Sequence, residues 1–426
     1  MALGGGTFLV QNKTLPGAYI NFVSIPKFEN IFAERGVASF AMELDWGKDD
    51  EIFTISNKDF QTNCLELFGY NYTHKNLKPL RELFQNIHTL HCYKLNKGTI
   101  ATSYIASAKY SGICGNNITV SVENSVDFPE KYLVSTYYIG DLKDKQLVAA
   151  SSELKDNAWV NFKQVNLSSN IGSFKLSNGT NGTVQNLNHQ KYLDKLESCY
   201  FNCFGTTSDS LEIKKLYSAY TKRMREETGV KFQCVLFDHA ADYEGIINVK
   251  NSENLVPWVI GALAGCNINA SCVNKKYDGE YDFNCDYTQS QLEESVKKGE
   301  FVFHKVGENI RVLCDINSLV TVSDTKGSIF KENQTVRVCD QIATDIAAIF
   351  NTRYLGTVPN DDEGRTAFKN DIVKHHKNLE TLRAIENFSD EDIQVYLGDT
   401  KKSVVVYDNI SVINSMEKLY MTVKIA

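Results

Sequence analysis

With 426 residues, the chain is long enough for several domains and a large buried interior. Lysine and arginine total 45 against 52 aspartate and glutamate, a net charge of −7 that works against the phosphate-neutralising contacts of a nucleic-acid coat. A composition of 42% hydrophobic and 23% charged residues excludes the disordered and collagen-like classes, and the most apolar stretch, residues 256–266, is about half of the roughly 20 residues a membrane helix needs.

The leading residues, MALGGGTFLVQN, lack the cationic start, long apolar run and cleavage site of a secretion signal, so the expected compartment is a cytoplasm. The 11 cysteines are odd in number and sit in apolar contexts such as FQCVLF and VLCDI, which reads as reduced, small hydrophobes. The Asn-x-Ser/Thr triplets are then Asn-rich turns rather than glycan acceptors. Behind the Gly-rich lead, Pro16-Gly17 marks a turn before an extended run through Ala18, Tyr19, Ile20, Asn21, Phe22 and Val23. An apolar strand at a chain end needs a sheet to join, in its own molecule or another.

Residues 48–97 read as helical, with apolar positions at Phe60, Cys64, Leu65 and Leu67 and a second run over 77–87. From 98 to 190 the character changes: 14 charged residues in 93, against 23% overall, and alternation at Ile118, Val120 and Val122, followed by an aromatic, β-branched run over 132–139. With SNGTNGT (177–183) as a loop, the segment reads as an all-β module. From 191 the pattern becomes mixed α and β. Asp209-x-x-Glu212 is expected to open a helix with Ile213, Leu216, Tyr217, Tyr220 and Met224 on one face and Gly229 at its end. Strands are expected over 230–237, 246–249 and 310–315, with a Thr288-x-x-Gln291 capping box between them. A helix over 338–350 should turn Ile342, Ile346, Ile349 and Phe350 inward, another over 364–384 should bury Phe368, Ile372, Leu379 and Leu382, and the chain should finish in strands at 403–407, 411–413 and 419–426.

Catalytic and ligand templates find little. There is no Walker loop and no GxGxxG, so no backbone cradle for phosphates is legible. The metal-ligand candidates Cys199-x3-Cys203, Cys266-x5-Cys272 and His375-His376 each lack a paired second half, and the two histidines, flanked by Lys374 and Lys377, read as part of a solvated basic face. No metal and no cofactor is expected. Gly205-Thr206-Thr207-Ser208, with Asp238-His239 after a buried strand, imitates a serine hydrolase. The plainer reading makes Ser208 a helix cap and Asp238 the start of a polar loop. Asn360-Asp361-Asp362-Glu363 suits the first turn of a helix, where the dipole favours carboxylates.

Several segments resemble, in order and spacing, the tail sheath protein of contractile phage tails and R-type bacteriocins: 15–22 (LPGAYINF), 109–117 (KYSGICGNN), 238–249 (DHAADYEGIINV), 258–265 (WVIGALAG), 315–319 (DINSL), 360–365 and 416–423 (MEKLYMTV). The chain departs from that pattern at Ser111, where the family often has proline, and at Leu15, where a basic residue is common. The resemblance implies an α+β multidomain protein: an arm (1–25), an N-terminal α/β part of the core (26–97), an all-β domain (98–190), a subtilisin-like but non-catalytic α/β domain (191–325) and a C-terminal sheath domain ending in a strand arm (326–426). It implies a non-enzymatic subunit that polymerises with itself as helically stacked hexameric rings around a tail tube protein, bounded by baseplate and tail terminator proteins, without direct contact to nucleic acid or membrane. The expected place is a virion tail or bacteriocin particle, assembled in the host cytoplasm. The alternative is a serine-hydrolase-like enzyme on a subtilisin-like fold.

At the carboxyl end, Leu419, Met421, Val423 and Ile425 alternate with Tyr420, Thr422 and Lys424, giving one apolar face and open backbone donors and acceptors. Pairing of this strand and of Ala18–Val23 with other subunits is the expected assembly bond. Lys369, Lys374 and Lys377, on the expected 364–384 helix, are candidates for contact with an acidic tube surface.

Overall fold

The computed structural model describes residues 34–425; the leading arm, with Ala18, Tyr19, Ile20, Asn21, Phe22 and Val23, lies outside the described residues. Strand β1 (Val37–Met42) is followed by β2 (Ile52–Ser56), the short helices α1 (Asn57–Thr62), α2 (Cys64–Phe68) and α3 (Lys78–Phe84), and β3 (Thr89–Lys94). The stretch 48–97 is thus not wholly helical. Its strands are brief, and β3 is held by β1, whose other neighbour comes from far along the chain, so no local period announces them.

The next seven strands are β4 (Ile100–Thr102), β5 (Ala106–Ser111), β6 (Ile118–Asn124), β7 (Tyr132–Tyr138), β8 (Asp141–Val148), β9 (Val160–Phe162) and β10 (Gly172–Lys175). They form a three-stranded sheet, β4-β5-β9, and a four-stranded one, β10-β6-β7-β8. Ile118, Val120 and Val122 are buried as their alternation requires, against Trp159, Tyr138 and Trp46. Trp46, from the segment after β1, stacks on Trp159 with centroids 5.7 Å apart and donates to Glu66 O, so one indole joins the β module to the preceding helices. The SNGTNGT loop folds back on the module's entry: a side chain at Gly98 would meet Thr180 O at 1.8 Å. Ser111 has its own partners. Its N–H donates to Asp49 and its carbonyl and hydroxyl accept from the buried Lys94 ammonium, the first of which a proline there could not do.

Mixed α and β follow: α4 (Asn186–Leu196), β11 (Cys203–Thr206), α5 (Leu211–Arg223), β12 (Gln233–Phe237), β13 (Ile246–Val249), α6 (Val256–Gly265), α7 (Gln289–Lys297), β14 (Glu300–Phe301), β15 (Phe303–Val306) and β16 (Asn309–Val312). The main sheet runs β14-β13-β12-β11-β1-β3-β2, parallel except for edge strand β2. Its central strands are buried on both faces, as their nearly uninterrupted apolar sequences demand. The apolar α6 packs with α3 on one face, around Trp258, Leu83 and Phe301. On the other face α4 and α5 bury Tyr192, Tyr217 and Tyr220 against Phe204 and Phe232. Thr288 and Gln291 cap α7 reciprocally, as the spacing requires. Helix α5 begins later than Asp209-x-x-Glu212 suggests, at Leu211 with Ser210 as its cap residue, and continues through a π turn to Gly229, which takes φ +82°.

The last elements are α8 (Asn333–Ile349), α9 (Asp362–Thr381), β17 (Ile385–Glu386), β18 (Ile393–Leu397), β19 (Val404–Asp408) and β20 (Ser411–Val412). The α8 face corrects the sequence expectation. Positions 337, 341, 345 and 349 point inward, so Arg337, Gln341 and Asp345 are buried while Ile342 and Ile346 are only half-buried. On α9, Phe368, Ile372 and Leu379 are buried, but Leu382 is exposed because the helix ends at Thr381.

Candidate functional site

The C-terminal elements are fastened to the α/β body by polar contacts. Arg225 donates to both carboxylate oxygens of Asp340 at 2.6 and 2.8 Å, and Arg337 donates to Ala270 O at 2.7 Å and to Asp315 at 3.2 Å. Asn333 donates to the other Asp315 oxygen and accepts from Gln233. Buried charges at such a joint require partners; here the DINSL segment supplies Asp315, which faces α8.

His375 and His376 are completely buried, which overturns their reading as a solvated basic face. His375 Nε2 lies 3.0 Å from Asp345 on α8, and His376 Nε2 lies 2.9 Å from Asp408 on β19. Neighbouring residues on a helix point about 100° apart, so the pair ties α9 to two different elements at once. Of the three lysines singled out for a tube, Lys374 and Lys377 are exposed and Lys369 is half-buried; Lys377 pairs with Asp390 of its own chain at 2.7 Å. The carboxylate cluster before α9 serves the helix, with Asp361 accepting from Gly364 N–H.

Beside α9, β18 and β19 form an antiparallel two-stranded sheet with Val395 opposite Val406. Ile393 is buried toward the helix, whereas Tyr396, Leu397, Val405 and Tyr407 are exposed. Two strands alone are marginal, and among the described residues neither edge of this hairpin is paired to another strand. Strand β18 lay outside the sequence reading; its alternating IQVYL was the available signal.

The chain then leaves the body. Gln334 holds the backbone of Ile413 and Ser415 at the start of the terminal segment. Beyond this the residues have no strand partner among the described residues: Leu419 is 85% exposed, Met421 73%, Val423 69% and Ile425 93%, and Tyr420, Thr422 and Lys424 are exposed too. At the root of the segment, burial and then the Glu417 and Asp315 carboxylates push Glu332 up to about 7.

The hydrolase look-alike does not assemble. Ser208 Oγ accepts from Ser210 N–H, the His239 backbone N–H donates to Asn248, and Asp238 lies 3.8 Å from Lys250. Burial and three nearby lysines hold His239 below the usual histidine value, the reverse of what an aspartate-supported base needs. Gly205 is glycine for packing: a side chain there would meet Val235 O at 2.2 Å and the Ile260 side chain at 3.1 Å. Among the described residues no three His, Cys, Asp or Glu side chains cluster as a metal site, and no helix is long and apolar enough to cross a membrane.

Comparison with known proteins agrees with this geometry. Residues 94–181 match the family model of the phage tail sheath protein beta-sandwich domain, 182–318 that of the central domain and 325–426 that of the C-terminal domain. The sheath tail protein of Desulfitobacterium hafniense is 31% identical, superposes with a TM-score of 0.81, and the match covers 95% of this chain and 99% of that one. The Listeria innocua sheath tail protein is likewise 31% identical with a TM-score of 0.81, over 91% of this chain and 94% of its own. The fold is shared with the anti-feeding prophage helical sheath in its contracted state, at 12% identity and a TM-score of 0.58 over 97% and 99% of the two chains. These neighbours are structural proteins, not enzymes. By its domains in order and its full-length relatives, the chain belongs to the phage tail sheath protein family.

Proposed function

We propose that the chain is the repeating subunit of a contractile sheath, stacked as hexameric rings in a helix around a tail tube and closed by baseplate and terminator proteins. The observation that carries this reading is the exposed terminal segment of alternating apolar residues, together with a two-stranded sheet whose edges are unpaired among the described residues. The strand Leu419–Ile425 of one subunit, and Ala18–Val23 of another, would extend the β18–β19 hairpin of a third, satisfying backbone groups and covering apolar side chains together. At roughly 3.3 Å per residue, a seven-residue strand reaches about 23 Å, enough to cross between adjacent bodies.

Such links hold neighbours together while the bodies move as rigid units, so contraction is driven by the free-energy difference between two packings of the same subunits. The parallel main sheet with helices on both faces supports the subtilisin-like description of the body, in which Ser208, His239 and Asp238 have other partners than one another. Lys369, Lys374 and Lys377 remain the proposed tube contact, and charge reversal at Lys374 and Lys377 tests it: tube-templated assembly should fail, and unchanged assembly refutes the contact. Assembly itself is tested by negative-stain microscopy of the purified chain. Hollow striated tubes are expected; monomers persisting at high concentration and in the presence of tube would refute the proposal.

A further inference from the structure

The two histidines of α9 form one chain of contacts between two carboxylates. Asp345 of α8 lies 3.0 Å from His375 Nε2, the two Nδ1 atoms face each other at 3.3 Å, and His376 Nε2 lies 2.9 Å from Asp408 of β19. Both rings are completely buried, so solvent does not reach them. Gln341 donates to both Asp345 oxygens at 3.0 and 3.1 Å and holds that carboxylate in place. Each of the three contacts along the chain needs one hydrogen between its two atoms. Two neutral imidazoles carry one N–H each, and ionised carboxylates bring none, so two hydrogens are at hand for three contacts. The third is an added proton. Ile372 O, 3.1 Å from His376 Nδ1, can only accept, and this places the proton: His376 donates from both ring nitrogens, while His375 donates from Nε2 and turns its Nδ1 lone pair toward its neighbour. Placing the proton on Asp345 instead would shift it along the chain and leave the count the same.

We propose that His376 is a proton-binding site, an imidazolium at neutral pH that latches the β18–β19 hairpin to α9 through Asp408 and frees it when the proton leaves. The charged and titratable groups around it, among the described residues, are Asp345 and Cys339 from α8, Asp408 from β19, and His375, Lys374 and Lys377 from α9 itself. Burial pushes the Cys339 thiol up to about 11, so it is uncharged, Lys374 and Lys377 are exposed, and Lys377 pairs with Asp390. The Phe388 ring, 5.1 Å from the His376 ring, covers a further side. Losing the proton leaves His376 with one N–H for two acceptors, so Asp408 or Ile372 O goes unpaired. The seated hairpin holds a proton that an opened one, with an ordinary histidine value of about 6.5, gives up above that pH. The latch is therefore fully present below about pH 6.5 and weakens as the pH rises. Its purpose in assembly rests on the sheath reading, in which this hairpin receives the strands of other subunits; the proton itself does not.

Hydrogen exchange of the full, unassembled chain, read by peptide mass from about pH 6 to about pH 9 and corrected for the intrinsic rate of each amide, tests the latch without calling on assembly, so its failure is distinct from failure of the sheath reading. Peptides covering β18 and β19 should lose protection by up to about tenfold per pH unit above about pH 6.5, the limit for release of one proton, while β11 and β12 keep theirs. H376Q, whose amide can donate to Asp408 but takes up no proton, should exchange in the hairpin at a rate that does not follow pH. In a nuclear magnetic resonance spectrum of the chain labelled with ¹⁵N-histidine at about pH 7.5, His376 should show two protonated ring nitrogens and His375 a proton on Nε2 alone. Hairpin protection in the unmodified chain that does not change with pH overturns the proposal, whether or not the variant folds. So does a His376 ring carrying a single proton at about pH 7.5.

Discussion

Removing residues 419–426 separates folding from assembly. None of Leu419, Met421, Val423 or Ile425 is less than 69% exposed in the single chain, so their loss takes almost no buried apolar surface from the body, and the truncated chain should melt within about 2 °C of the full one. In an assembly the account differs. Covering four such side chains contributes roughly 1.5–3 kcal/mol each, about 6–12 kcal/mol in all. Ordering seven backbone residues costs about 1–2 kcal/mol each, so roughly 7–14 kcal/mol is set against it. One link by itself would therefore be close to balanced, and in the proposed assembly a ring would hold only because several form together. Met421→Ser should then weaken each link by about 2 kcal/mol, or roughly 30-fold in neighbour capture. Sedimentation velocity and negative-stain microscopy would show folded monomers for the truncation, and for Met421→Ser a raised critical concentration. Normal tubes from the truncated chain, or a melting point lowered by many degrees, refute the reasoning.

Arg337→Met should destabilise the chain by about 3–5 kcal/mol, because Asp315 would be left buried without its cation, and urea denaturation reads this directly. Gly205→Ala places a methyl group 2.2 Å from Val235 O, so β11 must shift from β12 or α6; the expected cost is about 2–4 kcal/mol, checked by thermal melting, and a neutral result would show that the strands yield freely. Glu332 is held up to about 7 against an ordinary 4.5, so its contribution to stability is full below about pH 4.5 and lost as the pH rises through about 7. Glu332→Gln should flatten stability across that window and leave the variant more stable at pH 8 by about 1 kcal/mol, a figure reduced for the residue's half-exposed position; an unchanged pH slope would count against it. Asp408→Asn, which removes the charge facing the buried His376, should loosen the β18–β19 hairpin from α9, seen as faster amide exchange in β18 and β19 than in the main sheet.

Local chemistry made much of this fold legible. The alternation of Ile118, Val120 and Val122, the Thr288–Gln291 capping box and the one-sided face of α5 each express contacts made within a few residues, and each lies where the pattern required. The strands β1 and β3 were hidden because β1 pairs with β11 and β3 across a large gap in sequence, and a parallel pairing leaves no mark of its partner in the local period. The histidines failed for a related reason. Flanked by lysines they look solvated, and only the packing of α8 and β19 against α9 brings Asp345 and Asp408 to them.

The terminal strand shows the division most plainly. Its alternating apolar and polar residues set by themselves the expectation that it pairs with an edge, because side-chain period and backbone hydrogen bonding are properties of the segment alone. Which edge is free is another matter. Only the tertiary structure shows that, among the described residues, Leu419–Ile425 is left uncovered and the β18–β19 hairpin unpaired, since burial depends on the other elements that fold against a segment and not on the segment's own residues.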